Sequence, residues 1–118
     1  MKEQHRDQLV ARLSDSEARL RAMLENVLPR TARTGELVFF NSRNLPEGYS
    51  PNLVPVEAEE MFGLASECAE LREQLNEPLM GTVAQLYLSA CREASSQNEH
   101  RRGPRQLSTW LLAEIEQS

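Results

Sequence analysis

Histidine, cysteine and paired carboxylates are the residue types with which this chain could do chemistry, and their spacing is typical of neither a metal site nor an active site. His5 and His100 lie in polar settings, and neither is spaced with a cysteine or a carboxylate as zinc ligands are. Glu67 and Glu70 share a helix face, where carboxylate pairs are usually solvated. No glycine-rich phosphate loop or nucleophile elbow is present. We therefore expect no cofactor, no metal and no enzymatic activity.

The two cysteines, Cys68 and Cys91, both fall at apolar positions of predicted helices, where cysteine usually acts as a small buried hydrophobic residue. They are 23 residues apart, so a disulfide between facing helices stays open. No segment has the composition of a signal peptide, and no apolar run approaches the ~20 residues of a membrane span. A cytoplasmic location without membrane contact is expected.

A basic cluster of His100, Arg101, Arg102 and Arg105 is the one signal for nucleic acid, since such a cluster before a helix can clamp phosphates. Three features oppose DNA binding. The polar loop 95–103 is longer than a helix-turn-helix turn, the helix after Arg105 is mostly apolar and acidic, and the chain has a net charge of −5. A salt bridge to an acidic helix face, in the same chain or a partner, is the competing interpretation.

The central stretch, Pro55 to Leu75, is the strongest helix signal and organises the predicted fold. Its apolar residues recur at spacings of three and four, giving a seam of Met61, Leu64, Cys68, Leu71 and Leu75. A second, shallower stripe of Ala58, Phe62, Ala65 and Ala69 widens the apolar arc beyond what one neighbouring helix needs. The remaining arc carries Glu59, Glu67, Glu70, Glu73 and Gln74. We predict a helix between two neighbours, with an acidic back that either serves solubility or binds a basic partner.

Helical periodicity also covers the two ends of the chain. A stripe from Glu3 to Leu28 keeps its phase across the polar residues 14–17, which favours one long helix over two, and Pro29 is expected to end it. Further helices are predicted from Pro78 or Thr82 and from Pro104, with Trp110 as a core anchor. With 118 residues and only 5% aromatics, residues 1–118 are predicted to form a single mainly α domain, a small antiparallel bundle of three to four helices.

The connector between the first two helices contains the one run of strand composition, ELVFFN at about 36–41. A single strand needs a neighbour, so the segment either closes the core or forms an adhesive patch for a second subunit or another protein. The candidate interface residues are the apolar ones of this connector and of the shallow stripe: Leu37, Phe39, Phe40, Tyr49, Leu53, Phe62, Ala65 and Ala69.

In length, helix order and the connector from Gly35 to Glu57 that leads into a glutamate-rich helix, the chain resembles the QslA family of quorum-sensing anti-activators. The resemblance covers most of the chain and matches no short motif, so it assigns no binding residues. It implies a helical homodimer that binds the ligand-binding domain of a LuxR-type transcription factor and blocks its dimerisation and DNA binding. An immunity protein, a secretion chaperone and a small DNA-binding repressor using Arg101–Arg105 are the alternatives.

Overall fold

Helix α1 (Lys2–Thr34) is the longest element and runs the full length of the molecule in this computed structural model, which describes residues 2–45, 47–96 and 102–117. Its 33 residues correspond to about 50 Å at 1.5 Å per residue, matching the 50 Å long axis of the protein. The apolar stripe supplies fully buried Leu20, Leu24 and Leu28. α1 is one helix, as the unbroken phase of its stripe predicts.

The polar gap in that stripe is filled by contacts between helices. Ser16 is buried and donates a hydrogen bond to Glu67 at 3.3 Å, while Glu17 receives two hydrogen bonds from Arg72. Because these partners lie on the next helix, α2 (Val56–Gln74), the gap marks where α1 and α2 are joined by polar groups.

Pro29 does not end α1, and the predicted boundary there was wrong. Proline removes one N–H from the helix ladder, but contacts beyond it hold the last turn. The Thr31 hydroxyl makes a buried 2.7 Å hydrogen bond with Ser108, and Arg30 pairs with Glu36 at 2.9 Å. The helix ends at Gly35 instead, whose φ of +75° suits glycine and whose N–H donates to the Thr31 carbonyl at 2.8 Å.

The four helices of the described residues pack in chain order around one core, with α3 at Val83–Ser95 and α4 at Pro104–Gln117. Pairs between Arg6 and Glu77 and between Arg19 and Glu60 show that α2 runs antiparallel to α1. α4 is antiparallel to α1 as well, and α3 lies across the core from α1. The prediction of a mainly α antiparallel bundle is confirmed.

The segment 36–41 is not a strand, which corrects the extended element of the prediction. It turns at Val38 and Phe39, with the Phe40 N–H donating to the Leu37 carbonyl at 3.3 Å. In a strand, alternate side chains point to opposite faces, so a layer of helices could bury only half of them. The turn instead brings all four apolar side chains of residues 37–40 into the core, and Tyr87 donates to the Val38 carbonyl at 2.7 Å.

Candidate protein-interaction surfaces

The eight candidate interface residues separate into three groups in the structure. Four are core residues that no partner can reach, and for these the interface assignment was wrong: Leu37, Phe39, Phe40 and Ala65 are 9%, 1%, 4% and 0% exposed. Phe62 and Ala69 are half-buried on the outer side of α2. Tyr49 and Leu53 are exposed in the connector. Two separate surfaces therefore remain, one on the connector and one on α2.

The connector patch, which we define as Tyr49, Leu53, Val54 and Val56, is the most exposed apolar surface of the described residues outside the turn between α2 and α3. Leu53 is 62% exposed and Val56 84% exposed. Val56 was not among the predicted interface residues, because it belongs to neither apolar stripe of the central helix. The one feature of the sequence that indicates exposure of Val56 is its position directly after Pro55. A side chain at the start of a helix has no preceding turn to pack against.

Local hydrogen bonds fix the shape of the connector patch. The Ser50 hydroxyl accepts from the Asn52 N–H at 3.3 Å and caps the short 3₁₀ turn Pro51–Leu53. The Tyr49 ring packs against the buried Phe40 ring, with the ring centroids 5.8 Å apart. These contacts help to position Tyr49 and Leu53.

A small cleft of about 230 Å³ lies beside the connector patch. It is lined by Ser42, Leu45, Pro51, Val54, Pro55, Val56 and Glu59. The Glu59 carboxylate accepts from the Ser42 N–H at 2.7 Å, so it ties the connector to the first turns of α2.

The α2–α3 groove, which we define as the open channel between those two helices, holds Phe62 and Ala69. It consists of two depressions of about 640 and 430 Å³ that share Leu88. Half-buried Phe62, Leu79 and Leu88 give it apolar walls. Glu59 lines the cleft beside the connector patch, and Phe62 lines the groove. Because these two residues are three apart in α2, they share one face of the helix, and the cleft and the groove lie on that face.

Of the glutamates in the predicted acidic back of α2, Glu67 pairs with an arginine of α1, while Glu59, Glu70 and Glu73 form no ion pair within the described residues. Arg12 donates to Glu67 at 2.7 Å, and Arg19 and Arg30 pair with Glu60 and Glu57. The acidic back is therefore open in part, with Glu67 covered by Arg12. Within the described residues, the two acidic side chains of this helix that form no ion pair and face the groove are Glu70 and Glu73.

The predicted basic patch is not a set of free cations. Arg102 donates to both oxygens of Glu93, at 2.8 and 2.9 Å, and its guanidinium lies 4.5 Å from the ring centroid of Trp110. Trp110 is accordingly half-buried at the edge of the core. Arg105 is exposed and packs against Gly35, where an added Cβ would lie 3.2 Å from the Arg105 Nε. Arg101 lies outside the described residues, as does His100.

The link between Glu93 and Arg102 makes stability depend on pH. Hydrogen bonds from Arg102 lower the pKa of the Glu93 carboxyl below its ordinary value. The carboxylate therefore stabilises the fold fully above the unfolded-state pKa of about 4.3, and this contribution is lost as the pH falls through the lowered value.

We expect Glu93→Gln to lower the free energy of unfolding by about 0.5–1 kcal/mol at pH 7, a modest effect because a third of each side chain is exposed. The difference from the wild type should be smaller at a pH of about 3 than at pH 7, since protonation of the wild-type carboxyl becomes more favourable as the pH falls towards its lowered pKa. Urea denaturation of both proteins at both pH values measures this difference in the free energy of unfolding. A difference that stays constant with pH would show that Glu93 acts through packing alone.

The buried thiols have the properties of core residues. Burial raises the pKa of Cys68 to about 11 and that of Cys91 to about 12, so both are protonated at neutral pH and poor nucleophiles. Both cysteines are free. The described residues contain no group of three histidine, cysteine, aspartate or glutamate side chains placed to hold a metal ion, and no helix among them is long and apolar enough to span a membrane.

The fold and its surfaces define a small four-helix protein with two apolar surfaces outside its core. Comparison of the chain with models of protein families, with curated proteins and with solved structures finds no match. The geometry of the two surfaces is therefore the basis for assigning a function.

Proposed function

We propose that this chain is a non-enzymatic, protein-binding regulator that sequesters another protein. The observation that carries the proposal is the connector patch, in which Leu53 at the end of the 3₁₀ turn and Val56 at the start of α2 expose 62% and 84% of their surface. Large apolar side chains that stay exposed within one short stretch of chain are typical of a protein interface. The raised thiol pKa values of Cys68 and Cys91 and the pairing of several carboxylates of α2 with arginines of α1 favour binding over catalysis.

The partner we propose is the ligand-binding domain of a LuxR-type quorum-sensing transcription factor, with the chain acting as an anti-activator that blocks dimerisation and DNA binding. Support comes from the resemblance to the QslA family in length, helix order and the connector from Gly35 to Glu57. That connector is also the segment that bears Tyr49, Leu53 and Val54. We place this regulator in the cytoplasm, as a homodimer.

A DNA-binding repressor receives less support. Its phosphate contacts would fall to Arg102 and Arg105, but Arg102 is already engaged by Glu93 and Trp110. An immunity protein for a basic toxin would use the acidic back of α2, where Arg12 already pairs with Glu67 and the Glu59 carboxylate accepts from the Ser42 N–H.

Affinity capture from native lysate, followed by mass spectrometry, tests the proposal. We expect the wild-type chain to capture a transcription factor, and the double variant Leu53→Asp with Val56→Asp to capture less than about a tenth as much, since central apolar contacts dominate interface energies. Val10→Asp is the matched control, because Val10 is 44% exposed on α1 outside both surfaces.

Circular dichroism should give the same helix content for all three proteins, because every changed residue is exposed. Equal capture of the same partner by the connector variant and the control would show that the connector patch is not the binding surface. Capture of a toxin or a secreted effector in place of a transcription factor would favour an immunity protein or a chaperone.

A further inference from the structure

The α2–α3 groove is an apolar channel that the chain itself leaves open. On the α2 side it is lined by residues that recur at helical spacing on one face, Phe62, Ser66, Ala69 and Glu73, and on the α3 side by Leu88 and Arg92. Because α2 and α3 are antiparallel, the start of the groove on α2 lies beside the end of α3. Phe62 and Arg92 accordingly line the same depression.

Charge is distributed unevenly along this groove. Besides Arg72 and Glu77, which pair with Glu17 and Arg6, the charged residues that line it are Glu70, Glu73 and Arg92. Glu73 stands at the end near the turn to α3, with Glu70 one turn nearer the middle, and Arg92 stands at the opposite end. Within the described ranges none of the three forms an ion pair, and the Arg92 guanidinium donates one hydrogen bond, to Ser89 at 3.2 Å. The groove therefore has an acidic end and a basic end that the fold does not use.

Small residues lie midway between the charged ends. Phe62, beside Arg92, and Glu73 are 11 residues apart, which corresponds to roughly 16 Å along a helix. Ser66 and Ala69 occupy the middle of that span, opposite Leu88. Small side chains at a crossing point let two helices approach closely, and their neighbours Phe62 and Leu88 can then fill the space on either side.

We propose that a second copy of this chain docks on this groove about a two-fold axis that passes between Ser66 and Ala69. A two-fold rotation places the acidic end of one copy over the basic end of the other, so each Arg92 faces the Glu73 of the partner subunit. The apolar walls bury each other, and the two charge pairs fix the register. This interface rests on the homodimer of the proposed function and specifies its surface and orientation.

The groove suits a second copy better than an unrelated helix because its own charges supply the complement. A heterologous partner would need basic side chains over Glu70 and Glu73 and an acidic one over Arg92, at the same separation. The chain presents that pattern already, in the reversed order that a two-fold axis requires. The connector patch, centred on Leu53, remains exposed for a different protein.

Sedimentation velocity with charge-reversal variants tests this interface. We expect Arg92→Glu and Glu73→Arg each to raise the dimer dissociation constant about tenfold or more, because like charges then face each other across the two-fold axis. The double variant should return it to within about threefold of the wild type, since the pairs are restored with reversed signs. Glu116→Arg, an exposed reversal on α4, is the matched control and should have no effect.

The possible results distinguish two questions, whether the chain dimerises and whether the α2–α3 groove is the interface. A wild-type chain that stays monomeric at about 100 µM would overturn both this interface and the homodimer of the proposed function. A wild-type dimer that is unaffected by either single reversal would overturn the groove while leaving the dimer in place. A double variant as weak as the single ones would overturn the two-fold register.

Discussion

Replacing Phe39 with alanine is expected to lower the free energy of unfolding by about 3–5 kcal/mol, the range measured for large aromatic residues removed from cores. Phe39 is 1% exposed and packs near the Tyr87 ring, with centroids 6.0 Å apart. Removing the ring leaves a cavity at the turn that closes the core over α1 and α3. Chemical denaturation followed by circular dichroism measures the loss.

Leu53→Ala is the control for Phe39→Ala, because Leu53 lies in the same connector but is 62% exposed. We expect it to change stability by less than about 0.5 kcal/mol. The opposite pattern, in which Phe39→Ala keeps full stability and weakens self-association, would show that residues 36–41 form an intermolecular patch after all.

The second large effect is expected at Arg72, where Arg72→Met should lower the free energy of unfolding by about 2 kcal/mol. One guanidinium nitrogen of Arg72 lies 2.8 and 3.0 Å from the two Glu17 oxygens, and another donates to the Pro78 carbonyl at 2.9 Å. The side chains are only 18% and 24% exposed. Losing the cation leaves a largely buried carboxylate unpaired, which costs more than losing a surface pair.

A double-mutant cycle with Glu17→Gln isolates this pair, and the double variant should be more stable than the sum of the single losses predicts. Arg12→Met is the comparison, since the pair of Arg12 with Glu67 likewise joins α1 to α2 but the Arg12 side chain is 62% exposed. This change should lower the free energy of unfolding by less than about 1 kcal/mol. If Arg72→Met costs no more than Arg12→Met, the pair with Glu17 does not join the two helices as described.

Periodicity and capping chemistry were sufficient to predict most helix boundaries. The stripes between Pro55 and Leu75 predicted a helix that the structure places at Val56–Gln74. Thr82 was one of two predicted starts for α3, and its hydroxyl does cap that helix by accepting from the Gln85 N–H. These signals are local, because each depends on residues within about two turns.

The predictions that were wrong concern segments whose conformation depends on contacts with residues far along the chain. Pro29 would end an isolated helix, but contacts of Thr31 with Ser108 hold the next turn of α1 in place. The run ELVFFN has strand composition, but no second strand is available in the described residues, and burial of Phe39 and Phe40 requires a turn. Local sequence does not contain these partners, which lie far along the chain.

The candidate surfaces were predicted only in part for the same reason. Tyr49 and Leu53 were correctly placed outside the helices, yet their exposure follows from which side of the 3₁₀ turn faces the core. The groove at Phe62 and Ala69 follows from the position of α3, and the engagement of Arg102 follows from Glu93. Each depends on how helices pack, which periodicity alone does not determine.

The most direct test of the proposed function is a titration of the purified chain into the purified ligand-binding domain of a LuxR-type transcription factor from the same cell, followed by calorimetry. We predict a complex with a dissociation constant of micromolar or tighter, and loss of at least about tenfold in affinity when Leu53 and Val56 are changed to aspartate. The full-length transcription factor should lose its DNA band shift as the wild-type chain is added. No heat of binding up to about 100 µM, with the DNA band shift unchanged, would contradict the anti-activator function.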